Sequence, residues 1–169
     1  IKVDNIVIKQ AQDTLFSLNT FKAQASWIKD TLKVKQLHLD IPETTLDLTA
    51  EIQFSEHYPL TLESTGEVKK IKQLSPETLL AGQHFQLTAA GDVTDLTSSL
   101  KLSKKLNLNL DTTVDLFTEN LPHKINLQWQ NLQWPLTGGA QYQANNGAIR
   151  SQSNLNDYAL TIKSDLWID

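Results

Sequence analysis

The chain has 169 residues, a formal net charge of −4 at pH 7 and a pI near 5.5. This length suffices for one sizeable core and is short for two independent domains, so we expect a single unit over residues 1–169. The acidic balance argues against DNA or RNA as a partner, because nucleic-acid affinity depends on neutralising phosphates. The absence of cysteine excludes disulfides, thiolate metal sites and cysteine nucleophiles.

The sequence begins at Ile1, contains no methionine and shows no charged-then-apolar leader of the kind found in signal peptides. It also lacks the run of about 18 apolar residues that a membrane-spanning helix needs. We therefore expect a segment excised from a larger protein, with any membrane anchor outside residues 1–169.

Apolar and polar residues alternate along the whole chain, which predicts β-strands because successive side chains of a strand point to opposite faces. The first such stretches are FKAQASW and LKVKQLHLDI. In the second, the apolar phase shifts by one residue between Val34 and Leu37. This shift predicts a β-bulge near Lys35 or Gln36 that returns both halves to one face.

The clearest strand, TTLDLTAEIQF, covers residues 44–54 and is apolar on one side and polar on the other. Later alternating stretches include LNLNL and INLQW. Burial of each large apolar side chain is favourable by about 1.5–3 kcal/mol, so something must cover the apolar side. The predicted lining of this shared apolar face comprises Leu46, Leu48, Ala50, Ile52, Phe54, Leu60, Leu62, Leu100, Leu102, Leu106, Leu108, Leu110, Ile125, Leu127, Trp129, Tyr158, Leu160 and Ile162.

Turn signals separate the alternating stretches at intervals that suit short antiparallel strands. The strongest signal is Asn145-Asn146-Gly147, because Asn-Gly readily supplies the positive φ angles of a tight hairpin. We expect a hairpin there. Other turns are predicted at Ile41-Pro42-Glu43, Gly91-Asp92, Leu121-Pro122 and Gly138-Gly139.

One segment, EVKKIKQLSPETLLAGQ, departs from the strand pattern. Val68, Ile71 and Leu74 have helical spacing, and Ser75 followed by Pro76 is typical of a helix start. The sequence therefore predicts one or two short helices near residues 67–81.

A weak internal repeat relates residues 59–121 to 122–169. Pro59 and Pro122 each precede an alternating stretch, and GDVTDLTSSL in the first copy is similar to SNLNDYALTI in the second. Like units that extend one sheet are typical of quasi-linear folds.

The chain offers no pattern that favours catalysis. Its four histidines, His38, His57, His84 and His123, have no metal-ligand spacing, and there is no G-x-S-x-G nucleophile motif. The acidic residues mostly alternate with apolar ones, as on a solvated sheet face. We therefore expect a protein that is not an enzyme, with no catalytic residue, no metal and no cofactor.

The stretch NLQWPLTGGAQYQANNGAIRSQSNLNDYALTI, residues 131–162, resembles the W-P-L-x-G, polar hairpin and N-L-x-D-Y-x-L pattern of the TamB family, the translocation and assembly module of Gram-negative envelopes. The earlier stretches HYPLTLESTGEV, GDVTDL and ENLPHKINLQWQ follow the same family layout in order. The resemblance places the chain in the N-terminal half of such a protein.

The resemblance implies an all-β fold, similar to the AsmA-like and bridge-like lipid transfer proteins, in which a long, curled, mostly antiparallel sheet forms a β-taco-like groove with an apolar inside. It implies a periplasmic location, with the parent protein anchored in the inner membrane by a segment outside this chain. The implied partners are phospholipid acyl chains in the groove and, through other regions of the parent, the outer-membrane barrel TamA. Phospholipid transport and outer-membrane protein assembly are the implied functions.

Two other functions agree with alternating strands. A chaperone or assembly scaffold would use exposed strand edges to bind outer-membrane protein strands by β-augmentation. A closed β-sandwich with a dry core would act as a spacer module.

Overall fold

The computed structural model describes residues 1–10, 13–69, 80–134 and 142–168. These residues form strands and turns, and no helix is found among them. The strands are β1 (Lys2–Gln10), β2 (Asp13–Ile28), β3 (Thr31–Asp40), β4 (Thr44–Gln53), β5 (Leu60–Val68), β6 (Gln83–Gly91), β7 (Leu96–Ser103), β8 (Asn107–Val114), β9 (His123–Trp134), β10 (Tyr142–Ser153) and β11 (Tyr158–Ile168).

The eleven described strands form one antiparallel sheet in which the spatial order equals the chain order. Each strand pairs with the next, as expected where short connections join alternating stretches. The sheet curls without closing, so β1 and β11 remain at opposite edges. The predicted all-β, groove-like architecture is confirmed, and the closed sandwich, which needs two facing sheets, is wrong for these strands.

The bulge predicted in β3 is present. Gln36 lies opposite Gln24 of β2 and Val34 lies opposite Ala25, so Lys35 is an extra residue in the ladder. The pairing of β3 with β4 shifts between the same positions, Val34 and Leu37. Both halves of β3 therefore present their apolar side chains to one face.

The hairpin predicted at Asn145-Asn146-Gly147 is wrong. Strand β10 runs through these residues, and its ladders with β9 and β11 continue on both sides of them. Gly147 is needed for close packing and not for a turn, because a Cβ on Gly147 would overlap the indole ring of Trp129 on β9. An irregularity remains, since the register with β11 shifts between Ala144 and Gly147.

The other predicted turns are confirmed where the structure describes them. Ile41 and Thr44 exchange backbone hydrogen bonds of 3.0 and 3.3 Å between β3 and β4. Gly91 has a φ of 123°, which favours glycine, where β6 ends. Leu121-Pro122 lies between β8 and β9. Gly138-Gly139 lies outside the described residues, as do residues 70–79, which hold most of the predicted helical segment.

Tight packing is concentrated on β7–β10. Leu106, in the turn between β7 and β8, is 2% exposed and packs with Trp129 of β9 and Ala144 of β10. Partly buried neighbours of this cluster are Leu102, Leu108, Leu127, Leu132 and Ile149. The cluster lies within a single layer, because its members belong to strands that are adjacent in the sheet or to the turn that joins two of them.

Candidate functional site

Residues directly opposite one another in neighbouring strands share a face of the sheet. The register can therefore be followed across the molecule. One row of opposed residues, which we call the spine row, crosses the middle of the sheet from β3 to β11. It comprises Leu37, Leu48, Ser64, Leu87, Leu100, Leu110, Leu127, Ile149 and Ile162.

A second row lies beside the spine row on the same face and contains two glycines. At each glycine an aromatic ring from the next strand covers the backbone: Phe85 covers Gly66, and Trp129 covers Gly147. This glycine row comprises Leu39, Leu46, Gly66, Phe85, Leu102, Leu108, Trp129 and Gly147.

Two further rows complete this face on the other side of the spine row. The third row comprises Val34, Ala50, Leu62, Ala89, Ser98, Thr112, Ile125, Ser151 and Leu160. The fourth comprises Trp27, Leu32, Ile52, Leu60, Gly91, Leu96, Val114, His123, Ser153 and Tyr158. We call these four rows together the apolar face, and the opposite side the polar face.

The four rows contain all the predicted lining residues that lie within strands. The remaining two lie at strand ends. Leu106 is buried in the turn before β8, and Phe54, just after β4, stacks on Trp27 with ring centroids 4.9 Å apart and an interplanar angle of 7°.

The sequence prediction omitted several residues of this face. Ile149 and Ala144 are absent from the predicted lining because Asn145-Asn146-Gly147 favours a turn, and a turn there divides the continuous strand β10. Leu37 and Leu39 alternate with polar residues after the Lys35 bulge, but the predicted lining begins only at Leu46 and does not include them. Leu132 belongs to the same cluster through an irregular stretch of β9, where Asn131 has a positive φ of 59° that alternation does not predict.

The apolar face has no second layer among the described strands, because every close contact between strands joins sheet neighbours. Most of its large side chains are only partly buried. On β11 they are largely exposed, with Leu160 61%, Ile162 60% and Leu166 59% accessible. A continuous exposed apolar surface of this kind marks an interaction surface.

Charged groups lie mainly on the polar face. Lys33 is paired with Glu51 and His38 with Asp47, both across strands at 2.7 Å. Among the described residues, no group of three or more His, Cys, Asp or Glu side chains is arranged to hold a metal ion. The spine row itself carries no titratable side chain, so it offers contact without charge.

Two carboxylates at strand ends have lowered pKa values. A hydrogen bond from the Lys69 ammonium, 2.6 Å away, lowers the pKa of Asp40. The Thr94 hydroxyl and backbone N–H donate to Asp92 and lower its pKa. These carboxylates are stabilised in the charged form, as expected for structural groups in turns and ion pairs.

An open, single-layer antiparallel sheet with one continuous apolar face defines a β-groove protein. The family model described as TamB, N-terminal domain, matches residues 1–168, and the chain belongs to the TamB family of the Gram-negative envelope. The family membership predicted from the sequence is thereby confirmed. No solved structure gives a significant match. In the part of the chain that the structure describes, no helix is long and apolar enough to span a membrane.

Proposed function

We propose that the apolar face carries phospholipid acyl chains, as one segment of a periplasmic groove that moves phospholipid between the inner and outer membranes. The observation that carries this proposal is the spine row. It runs from β3 to β11 with Ser64 as its only polar side chain, and no described strand covers it.

The energetics of the uncovered face favour a fluid apolar cover. Each large side chain withdrawn from water contributes about 1.5–3 kcal/mol, so acyl chains lying on the face are strongly favoured over water. Individual atom contacts are weak, about 0.1–0.2 kcal/mol each, and a chain that moves along the row exchanges one leucine for the next. Leu100, Leu110 and Leu127 are successive, chemically equal contacts on this path. The protein therefore conducts lipid without a catalytic residue.

Family membership supports the wider setting of this function. In the proposal, the parent protein is anchored in the inner membrane outside this chain, spans the periplasm, and cooperates with TamA through other regions. Delivery of phospholipid toward the outer membrane would in turn support assembly of outer-membrane proteins.

A matched pair of variants tests the acyl-chain proposal. Leu48 belongs to the spine row, whereas its neighbour Thr49 is exposed on the polar face. We expect lipid copurifying with the chain, measured by mass spectrometry, to fall several-fold in Leu48→Arg and to remain unchanged in Thr49→Arg. Circular dichroism melting verifies that both variants fold. Absence of lipid from the wild-type chain, or equal lipid in both variants, contradicts the proposal.

A second function, capture of outer-membrane protein strands, is favoured by one observation. β11 has no partner on its outer side among the described strands, and an unpaired edge with exposed apolar side chains is a template for another strand. Ser164→Pro removes a backbone donor of β11 that points away from β10, because Asn154 donates to Asp157 at 2.9 Å and the donors alternate in direction along the strand from that pair. If this function operates, the variant loses binding of barrel-protein peptides and keeps its bound lipid. Unchanged peptide binding contradicts it.

A further inference from the structure

The polar face carries a trough that acyl-chain binding does not use. A hollow of about 780 Å³ lies across β7–β11, and a second of about 480 Å³ lies across β4–β7. Both are bordered by Lys101 and Ser103, so they adjoin. Leu100, Leu110 and Leu127 of the spine row border neither hollow, whereas polar residues on each side of the glycine row border one or both. The hollows therefore open on the polar face.

Two rows of opposed residues form the walls of the trough. One wall comprises Gln86, Lys101, Asn109, Gln128, Ala148 and Lys163. The facing wall comprises Glu67, His84, Ser103, Asn107, Gln130, Asn146 and Asp165. The floor is the backbone of the glycine row between them. From β5 to β11 the trough is roughly 29 Å long, at about 4.8 Å per strand.

The walls are rich in uncharged amides, several of which have no partner among the described residues. The side chains of Asn107, Gln128 and Gln130 make no hydrogen bond to any part of the chain that the structure describes. Asn109 donates from Nδ2 to Asp111 at 2.8 Å, while its Oδ1 is buried without a partner. An amide offers both a donor and an acceptor, which matches the two roles of a hydroxyl group.

The trough contains two lysines and two carboxylates, Glu67 and Asp165. Glu67 is already paired with Lys104 at 3.5 Å, so the two lysines are the cations left to meet an anionic ligand. Lys101 and Lys163 lie on the same wall, on β7 and β11, and neither forms an ion pair within the described ranges. Asp165, on the other wall, is occupied by the backbone N–H of Asn146 at 2.8 Å. Apart from the His84 imidazole, the described wall residues carry no aromatic or large apolar side chain, which disfavours an apolar peptide as the occupant.

From these contacts we infer that the trough binds a linear, hydroxyl-rich polysaccharide that carries carboxylates. The polymer lies across the strands, its hydroxyls pair with the wall amides, and its carboxylates pair with Lys101 and Lys163. The trough extends across several strands, so several weak contacts add along one polymer. In the proposed periplasmic setting, the polymer of this chemistry is the cell-wall glycan with its carboxylated stems.

Cosedimentation with purified peptidoglycan sacculi tests this inference, with insoluble neutral dextran as the comparison. The test variant combines Lys101→Glu with Lys163→Glu. The control combines Lys22→Glu with Lys124→Glu, which changes the total charge equally at exposed polar-face lysines that do not border either hollow. We expect an affinity loss of about fivefold or more in the test variant and less than about twofold in the control, since two exposed ion pairs contribute roughly 1 kcal/mol together.

A second variant tests the trough by shape. Ala148→Trp places a large side chain on the wall where Ala148 leaves space, and should weaken sacculus binding while thermal unfolding and copurifying lipid stay unchanged. Sacculus binding by the wild-type chain no stronger than dextran binding, or equal loss in the control double variant, overturns the inference. Because bound lipid is measured in the same samples, failure of the trough and failure of the acyl-chain groove are distinguishable.

Discussion

Strands β2–β5 and β7–β10 use the same alternation to build different versions of the apolar face. In β2–β5 the apolar rows extend to the turn between β4 and β5, where Trp27, Ile52 and Leu60 lie. In β7–β10 the corresponding third and fourth rows include Ser98, Thr112, Ser151, Ser153 and His123. There the densest packing, around Leu106, lies toward the opposite strand ends. The apolar surface is therefore oblique to the strands.

This difference has a structural consequence. In β7–β10 the hydroxyls on the apolar face bond to one another, Ser98 with Thr112 at 2.7 Å and Ser151 with Ser153 at 2.6 Å. Such pairs satisfy polar groups beside an apolar surface without charge. In the proposed function, an acyl chain that follows the most apolar path would be displaced toward Leu106 as it passes from β5 to β8.

The largest loss of stability is expected from a substitution at the packed end of β7–β10. Leu106→Ala should lower the free energy of unfolding by about 2–5 kcal/mol, because the side chain is 2% exposed and its removal leaves a cavity. Leu60→Ala, the matched change at a half-buried position of β5, should cost about half as much or less. Urea denaturation measures both, and equal losses would contradict the contrast between the two regions.

Overpacking at the glycines should have the next largest effect. Gly147→Val should cost about 1–3 kcal/mol, because its Cβ would overlap the Trp129 ring. Gly66→Val in the other region should cost at least as much, because its Cβ would overlap the Thr45 carbonyl oxygen as well as the Phe85 ring. Ala148→Val, the polar-face neighbour of Gly147, serves as the control and should change unfolding by less than about 0.5 kcal/mol. A tolerated valine at Gly147 would refute the ring-over-glycine packing.

A smaller effect is expected at the apolar end of β2–β5. Phe54→Ala removes the stacked contact with Trp27, which should cost about 0.5–1.5 kcal/mol beyond the lost burial of a half-exposed ring. Tryptophan fluorescence during unfolding reports this change directly. Phe117→Ala, at a more exposed ring in the loop between β8 and β9, provides the comparison and should cost less. A larger loss for Phe117→Ala would reverse the expected order.

The smallest effect concerns acid stability. Because Lys69 lowers the pKa of Asp40, the folded pKa lies below the ordinary value of 3.8, and the ion pair stabilises the protein above that value. The stabilisation is lost as the pH falls through the folded pKa. Asp40→Asn should therefore destabilise the chain at neutral pH and make little difference well below pH 3.8. Denaturation midpoints at several pH values measure this, and a pH-independent difference would contradict the pairing.

Alternation was sufficient to predict the end of β2, strands β3 to β9 and β11, and their shared face, because a half-buried strand has a local period of two. It did not identify β1 or the first half of β2. The bulge at Lys35 could also be predicted, because the shift in apolar phase that causes it is visible in the local sequence. The error at Asn145-Gly147 arose because the turn preference of Asn-Gly was outweighed by packing against Trp129, a contact across strands. The oblique path depends in the same way on register, which local sequence does not specify.

The predicted single unit over 1–169 and the internal repeat remain predictions, although Pro59 and Pro122 do each lie directly before a strand, β5 and β9.

The most direct test of lipid conduction is site-specific photocrosslinking in cells. A photoreactive residue replaces Leu48 or Leu127 of the spine row, or their polar-face neighbours Thr49 and Gln128, and covalent phospholipid adducts are identified by mass spectrometry. We expect adducts at Leu48 and Leu127, in both regions of the sheet, and none at Thr49 or Gln128. Adducts of equal yield on both faces, or none at the spine row, would contradict a lipid-carrying apolar face.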